Sequence, residues 1–298
     1  MADIAASVLA RLKNKASETG RSNQLCLQLF CQEEFLRRLQ RSRYADNFIL
    51  KGGLLVYALT NFDSRVTVDI DFLLRNVPSS PDEFRLILDE IIAVKTGNDF
   101  VTFEISGIEP IAVTRKYAGI GAVIIAHIKN TRTTFGIDCG TGDVIVPIQE
   151  KRTIPTQLVG FEAPAVYAYS VETIVAEKID AVLFLMEYSS RMKDYYDILY
   201  ISRRFDFDGK TLCKAIVETF NNRNRNFSIL QLDRLAALGD DIAMNKKWNA
   251  FLKRVKTTEA GFSDVLKNIE AFLKDVVVAA ISGHEFKKSW SATNGCWR

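Results

Sequence analysis

The stretch RVTVDIDFLL at 65–74 sets two carboxylates two residues apart. Side chains on a β-strand alternate between faces. Val66, Val68, Ile70, Phe72 and Leu74 therefore share one face, and Arg65, Thr67, Asp69 and Asp71 the other. The apolar set is β-branched or aromatic apart from one leucine, as a half-buried strand requires. Two like charges at that spacing repel each other unless they share a cation or a proton. A strand end open to water gives little desolvation with which to raise a carboxyl pKa, so the shared cation is the favoured reading.

Three more features carry chemistry-bearing residues. Lys51, Gly52 and Gly53 close one strand, FILKGG, and open a helix, LLVYALTNF. Glycines there let the backbone approach a ligand, and a helix N-terminus presents N–H groups to phosphate oxygens. The same residues also make an ordinary strand-to-helix turn. Asp138, in FGIDCGTGD, ends a strand, and a third carboxylate there would complete a hard oxygen site suited to Mg²⁺. A turn-capping role suits it too. Lys178 falls in the middle of the apolar face of a helix over 171–187, marked by Val171, Ile174, Val175, Val182 and Leu185. A lysine so placed must snorkel, pair or line a cavity. On the next helix Asp194 lies in register with Ile198 and Ile201, with Arg191 three residues before it on the same side. Lys178 and Asp194 either pair with each other or face a phosphate cleft.

These residues need elements to position them. Helical periodicity marks 24–42, with Leu25, Leu27, Leu29, Phe30, Phe35, Leu36 and Leu39 as its apolar side, and again 82–97 after the breaks at Pro78 and Pro81. Strands then dominate in DFVTFEIS, GAVIIAHI and RTTFGIDCG. Near 166–170 the pattern turns almost wholly helical, with Ser170 as N-cap and Glu172 in the first turn. The expected division is a mixed α/β domain over 1–160 and a helical domain over 161–298. Residues 206–298 show no recognisable motif.

Composition narrows the classes. The chain has 298 residues, 48% of them hydrophobic, ample for one or two cores. Its apolar runs are too short and interrupted for a bilayer, and the N-terminus is read as an amphipathic helix rather than a signal peptide. Five scattered cysteines without CxxC spacing and only two histidines, His127 and His284, allow no zinc cluster and fit a reduced, cytoplasmic protein. Between 191 and 256 there are 14 Lys+Arg against 8 Asp+Glu, whereas the first 150 residues hold 17 against 18. A basic second half is compatible with a nucleic-acid partner. Within it the segment NNRNRN is expected to expose Arg223 and Arg225 to RNA. No G-x-x-x-x-G-K-[ST] occurs, which excludes a P-loop kinase.

KGG, then R-x-T-x-D-I-D-F, I-D-x-G-x-G-D, S-V-E-T-I-V-A-E-K and R-M-K-D-Y-Y-D-I, in that order, resemble the AbiEii family over residues 24–205. These are nucleotidyltransferase-like toxins of AbiE phage-abortive-infection and MenT toxin–antitoxin systems. The resemblance implies an α+β fold: a polymerase-β-like mixed sheet with helices, then a largely helical lobe. It implies Mg²⁺-dependent transfer of a nucleotide from an NTP to RNA, in relatives to tRNA acceptor ends, and a cognate antitoxin that need not bind the toxin directly. By motif, Lys51, Gly52 and Gly53 form the phosphate loop, and Asp69 and Asp71 hold the metal with Arg65 and Thr67 beside them. Lys178 and Asp194 belong to the helical motifs. Asp138 matches the third carboxylate, with Asp143 a nearby competitor. A metal-dependent nuclease, a glycosyltransferase and a catalytically silent NTP-binding module are the rival classes.

Overall fold

A computed structural model describes residues 3–111 and 119–298. They fall into two compact units: Met1–Gly142 with Glu150–Ala168, and Asp143–Gln149 with Tyr169–Arg298. Among the described residues, no helix is long and apolar enough to cross a membrane.

The first unit opens with helices α1 (Ile4–Thr19) and α2 (Asn23–Arg41). Strand β1 (Phe48–Lys51) runs directly into α3 (Gly52–Leu59), followed by β2 (Ile70–Leu74) and α4 (Pro81–Ala93). The chain continues through β3 (Val101–Ile111), β4 (Gly119–Ile128), β5 (Thr131–Thr141), β6 (Glu150–Thr153) and β7 (Ala165–Ala168). One sheet results, in the order β3-β4-β5-β2-β1-β7-β6. It is mixed: β2 runs parallel to β5 and β1 to β7, while the other neighbours are antiparallel.

The strand expected over 66–74 begins only at Ile70. Val66 and Val68, assigned to its buried face, are exposed. The cause is local bonding. The Val68 carbonyl accepts from Gln28 Nε2 (2.6 Å) and Gln32 Nε2 (2.7 Å) of α2, so side chains take the place of a neighbouring strand. From Ile70 onward Ile70, Phe72 and Leu74 are buried as alternation requires, and so is Leu73, because both faces of β2 are covered.

Helix α2 buries more than its apolar side. Leu27, Leu29, Phe30, Phe35, Leu36 and Leu39 are in the core, but so are Glu33, Glu34, Arg37 and Arg38. Arg37 bonds Glu33 and Glu34, each at 3.2 Å, and donates through Nε to the Glu162 carbonyl at 2.5 Å. Arg38 bonds Glu34 at 3.3 Å and donates to the Val101 carbonyl at 2.6 Å. Asn98 donates to Glu34 at 2.7 Å, and the Gln157 N–H to Glu33 at 2.8 Å. Buried charged and polar groups are tolerable only when paired or hydrogen-bonded, and this lattice gives each of the four such partners.

The second unit holds α5 (Val171–Leu185), α6 (Met192–Ser202), α7 (Gly209–Asn222), α8 (Ile229–Ala237), α9 (Ile242–Val255) and α10 (Phe262–Ser282). Ser170 caps α5 as expected, accepting from the Thr173 N–H at 3.1 Å. The part without a sequence motif adds a small antiparallel sheet, β8 (Phe207–Asp208), β9 (Ser289–Ser291) and β10 (Cys296–Trp297), in the order β10-β9-β8. Trp290 Nε1 donates to the Ser202 carbonyl (2.7 Å) and Trp297 Nε1 to that of Phe272 (2.8 Å), which pins this ribbon to α6 and α10.

Glu33 gives the lattice a pH signature. Burial pushes its carboxyl up to about 8 from 4.5, against the opposing pull of Arg37 and the Gln157 N–H. The folded state then holds this proton more tightly than the unfolded chain. The stability it contributes is full below pH 4.5 and is lost as pH rises towards 8. Chemical denaturation should therefore show stability falling between pH 5 and 8. In Glu33→Gln that decline should be smaller by more than about 1 kcal/mol. Parallel profiles for the two proteins would mean that Glu33 stays ionised.

Candidate active site

Sheet register, rather than any one loop, assembles the candidate site. Lys51 on β1 pairs with Asp71 on β2, Asp71 with Asp138 on β5, and Asp138 with Gly121 on β4. Residues in register on adjacent strands project to the same face, on strands about 4.8 Å apart. Lys51, Asp71 and Asp138 thus form one row across three strands. Asp69 joins them from just before β2, its Oδ1 accepting from the Gly136 N–H at 3.3 Å, and Gly136 lies one pleat before Asp138.

Glycines open the space these groups occupy. Gly52 has φ +70°, a region L side chains avoid, and a Cβ added there would overlap the Asp71 carboxylate. A Cβ at Gly136 would lie 2.8 Å from Asp69 Oδ1, and one at Gly121 3.2 Å from Asp138 Oδ1. A Cβ at Gly53 would sit 3.0 Å from Thr67 Oγ1 and 3.4 Å from Arg65 Nη2. Lys51, Gly52, Gly53, Arg65, Thr67, Asp69, Asp71 and Asp138 are therefore one neighbourhood, although 87 residues separate its ends (138 − 51). Helix α3 starts inside it, with Lys51 as N-cap and the two glycines as its first residues.

The donor chemistry is that of hard oxygen. Cys139, next to Asp138, is buried, and burial pushes its thiol well up, with Asp138 and Asp71 adding and Lys51 opposing. A thiol so held is a poor thiolate ligand. Among the described residues, no three His, Cys, Asp or Glu side chains are gathered into a ready-made metal cage.

The second unit has its own constellation. Lys178 is about 9% exposed. Its Nζ lies 2.6 Å from Asp197 Oδ2 and 3.2 Å from Asp194 Oδ1, while Asp194 Oδ2 meets Arg191 Nε at 2.6 Å. Of the two roles open to Lys178, pairing is the one whose contacts are present. Burial raises the Asp194 carboxyl, but Lys178 and Arg191 outweigh it and hold it below the usual 3.8. Sequence reasoning missed Asp197. Its signal was the DYYD spacing, which puts two carboxylates on one side of a helix.

Two neighbouring assignments change. Arg223 and Arg225 are not an exposed RNA surface. Arg223 bonds Asp180 (2.9 Å), Asp143 (3.0 Å) and Glu177 (3.2 Å), and Arg225 bonds Asp180 at 2.8 Å while lying 3.7 Å from the Phe184 ring centroid. Asp180 is buried, and without both arginines it would be a buried charge. Asp143, the competitor for the third carboxylate, belongs to this cluster, whereas register sets Asp138 beside Asp71.

Residues 34–272 match the family model described as nucleotidyl transferase AbiEii toxin, type IV TA system. No curated protein matches the chain. Two solved structures from Helicobacter pylori are similar in fold. One, described as a nucleotidyltransferase, has a TM-score of 0.45 at 12% identity, covering 88% of this chain and 96% of its own. The other, JHP933, has a TM-score of 0.48 at 11% identity, covering 88% and 94%.

Lys178→Met keeps the aliphatic stem and removes the charge that Asp194 and Asp197 share. Stability should fall by roughly 3–5 kcal/mol, the cost of stranding buried carboxylates. Urea denaturation measures it. A loss under about 1 kcal/mol would show that the pairs are dispensable and free the lysine for another role.

Proposed function

Because this chain belongs to the AbiEii family of nucleotidyltransferase toxins of type IV toxin–antitoxin systems, we propose that it transfers a nucleotide from an NTP to RNA, with tRNA acceptor ends as the preferred substrate. The observation that carries this reading is the row in which Lys51, Asp71 and Asp138 lie side by side. A phosphate-binding turn beside paired carboxylates suits phosphoryl chemistry. A glycosyltransferase would not need such a turn at a strand–helix junction, and a nuclease needs no NTP.

Each residue then has a task. Gly52 and Gly53 let the triphosphate approach the backbone, and the first turn of α3 offers N–H groups to its oxygens. Lys51, Arg65 and Thr67 flank that path with positive charge and a hydroxyl. Asp69, Asp71 and Asp138 would hold Mg²⁺, which supplies neutralisation of phosphate charge and orientation of the α-phosphate when bound. An acceptor hydroxyl attacks the α-phosphorus, the new O–P bond forms as the α–β bridge breaks, and pyrophosphate leaves with the electron pair. No histidine belongs to the group, so the hydroxyl proton passes to a carboxylate, Asp138 in this reading, or directly to solvent with no base needed. Lys178 and Asp194 act as positioning residues that join α5 to α6. Modified acceptor ends would halt translation and growth in the cytoplasm. That outcome suits phage defence under the control of a cognate antitoxin.

Incubation with each labelled NTP and total tRNA tests the reading. Label should enter RNA only with Mg²⁺ present, and Asp71→Asn should abolish transfer while leaving the protein folded. RNA shortening without NTP would instead identify a nuclease. Gly53→Val places a side chain against Thr67 and Arg65, so affinity for a non-hydrolysable NTP should drop by about tenfold or more, near 1.4 kcal/mol. Unchanged affinity by calorimetry would return this turn to a structural role.

A further inference from the structure

The turn between α5 and α6 displays one aromatic ring. Tyr188 is 84% exposed, the highest value for any aromatic side chain among the described residues. Its neighbours in the turn are anchored: Met186 and Ser189 are both buried. Met186 adopts φ +45°, uncommon for a side chain of its size, and its carbonyl accepts from the Ser189 N–H at 3.1 Å.

Two other helices hold the backbone on either side of the ring. Lys247 Nζ, from α9, donates to the Glu187 carbonyl at 3.0 Å and to the Ser189 carbonyl at 2.9 Å. Arg234, from α8, bonds the Glu187 carboxylate at 3.1 Å. The ring is thus presented on a fixed backbone rather than on a loose loop. Helix α9 itself carries Lys246, Lys247, Lys253 and Arg254 and has no Asp or Glu.

A preorganised ring beside a helix of one charge sign is what unpaired nucleic acid requires. Bases stack on the aromatic face while cations meet the backbone phosphates. We propose that Tyr188 stacks against an unpaired base of the RNA acceptor, with the exposed Lys246, Lys253 and Arg254 of α9 supplying phosphate contacts. This inference rests on the RNA-acceptor reading given above.

Fluorescence anisotropy tests it apart from catalysis, with labelled tRNA ending in an unpaired 3′ segment and a blunt-ended RNA duplex as probes. Tyr188→Ala should weaken binding of the unpaired end about tenfold or more, from the usual worth of one base–aromatic stack. Tyr188→Phe and Tyr188→Trp should bind like wild type, and duplex binding should be the same for all. Thermal melting should not move, since the ring is outside the core. Wild-type affinity in Tyr188→Ala would overturn the stacking role while leaving the acceptor reading intact. Failure of the wild type to bind either RNA would overturn both. A variant that loses only self-association or binding to a protein partner would mark the turn as a protein contact and refute the proposal.

Discussion

Carboxylates held on one face of a sheet repel one another, and much of the first unit follows from holding three of them there. Asp71 and Asp138 meet only because β2 and β5 run parallel and in register. A parallel pair cannot be closed by a tight turn and needs a long connection, here α4, β3 and β4. The parallel pairing also puts Gly136 beside Asp69, and the antiparallel β4–β5 pairing puts Gly121 beside Asp138, where any larger residue would push the carboxylates away. Lys51 offsets part of the charge from the strand on the other side.

That arrangement is braced by a buried polar lattice on α2. The Glu33, Glu34, Arg37 and Arg38 lattice ties α2 to the carbonyls of Val101 and Glu162 and to Asn98 and Gln157. Gln28 and Gln32 of the same helix hold the Val68 carbonyl, immediately before Asp69. One face of α2 therefore fixes the chain where it enters the candidate site. The second unit uses the same device twice, in the Lys178–Asp194–Asp197 cluster and in the Arg223–Asp180–Arg225 cluster.

Periodicity and motif order made the helices at 23–41, 81–93 and 171–185 and the β3–β4–β5 meander legible in the sequence. Motif order also named the residues from Lys51 to Asp138 as one group, and the register sets Lys51, Asp71 and Asp138 in one row. What escaped were features whose cause lies in another element. The exposed backbone at 66–69 looks like strand because its glutamine partners sit about 40 residues earlier. The burial of the charges on α2 was not legible, because a local pattern cannot show that Arg38 will meet Val101. Arg223 and Arg225 looked exposed in a polar run, and only the fold brings Asp180 to them. The ribbon β8–β10 joins strands too short for any two-residue period to register.

The distance in sequence between Asp71 and Asp138, 67 residues (138 − 71), also sets an order of events during synthesis. Chains emerge from the ribosome N-terminus first, and local elements form before long-range pairings close. The KGG turn and the first carboxylates leave the ribosome together, but β2 has no β5 to pair with until residue 141 is clear of the exit tunnel. A nascent fragment bearing KGG and DID is thus incomplete as a nucleotidyltransferase. The row of Lys51, Asp71 and Asp138 is complete only when most of the first unit has been released and folded.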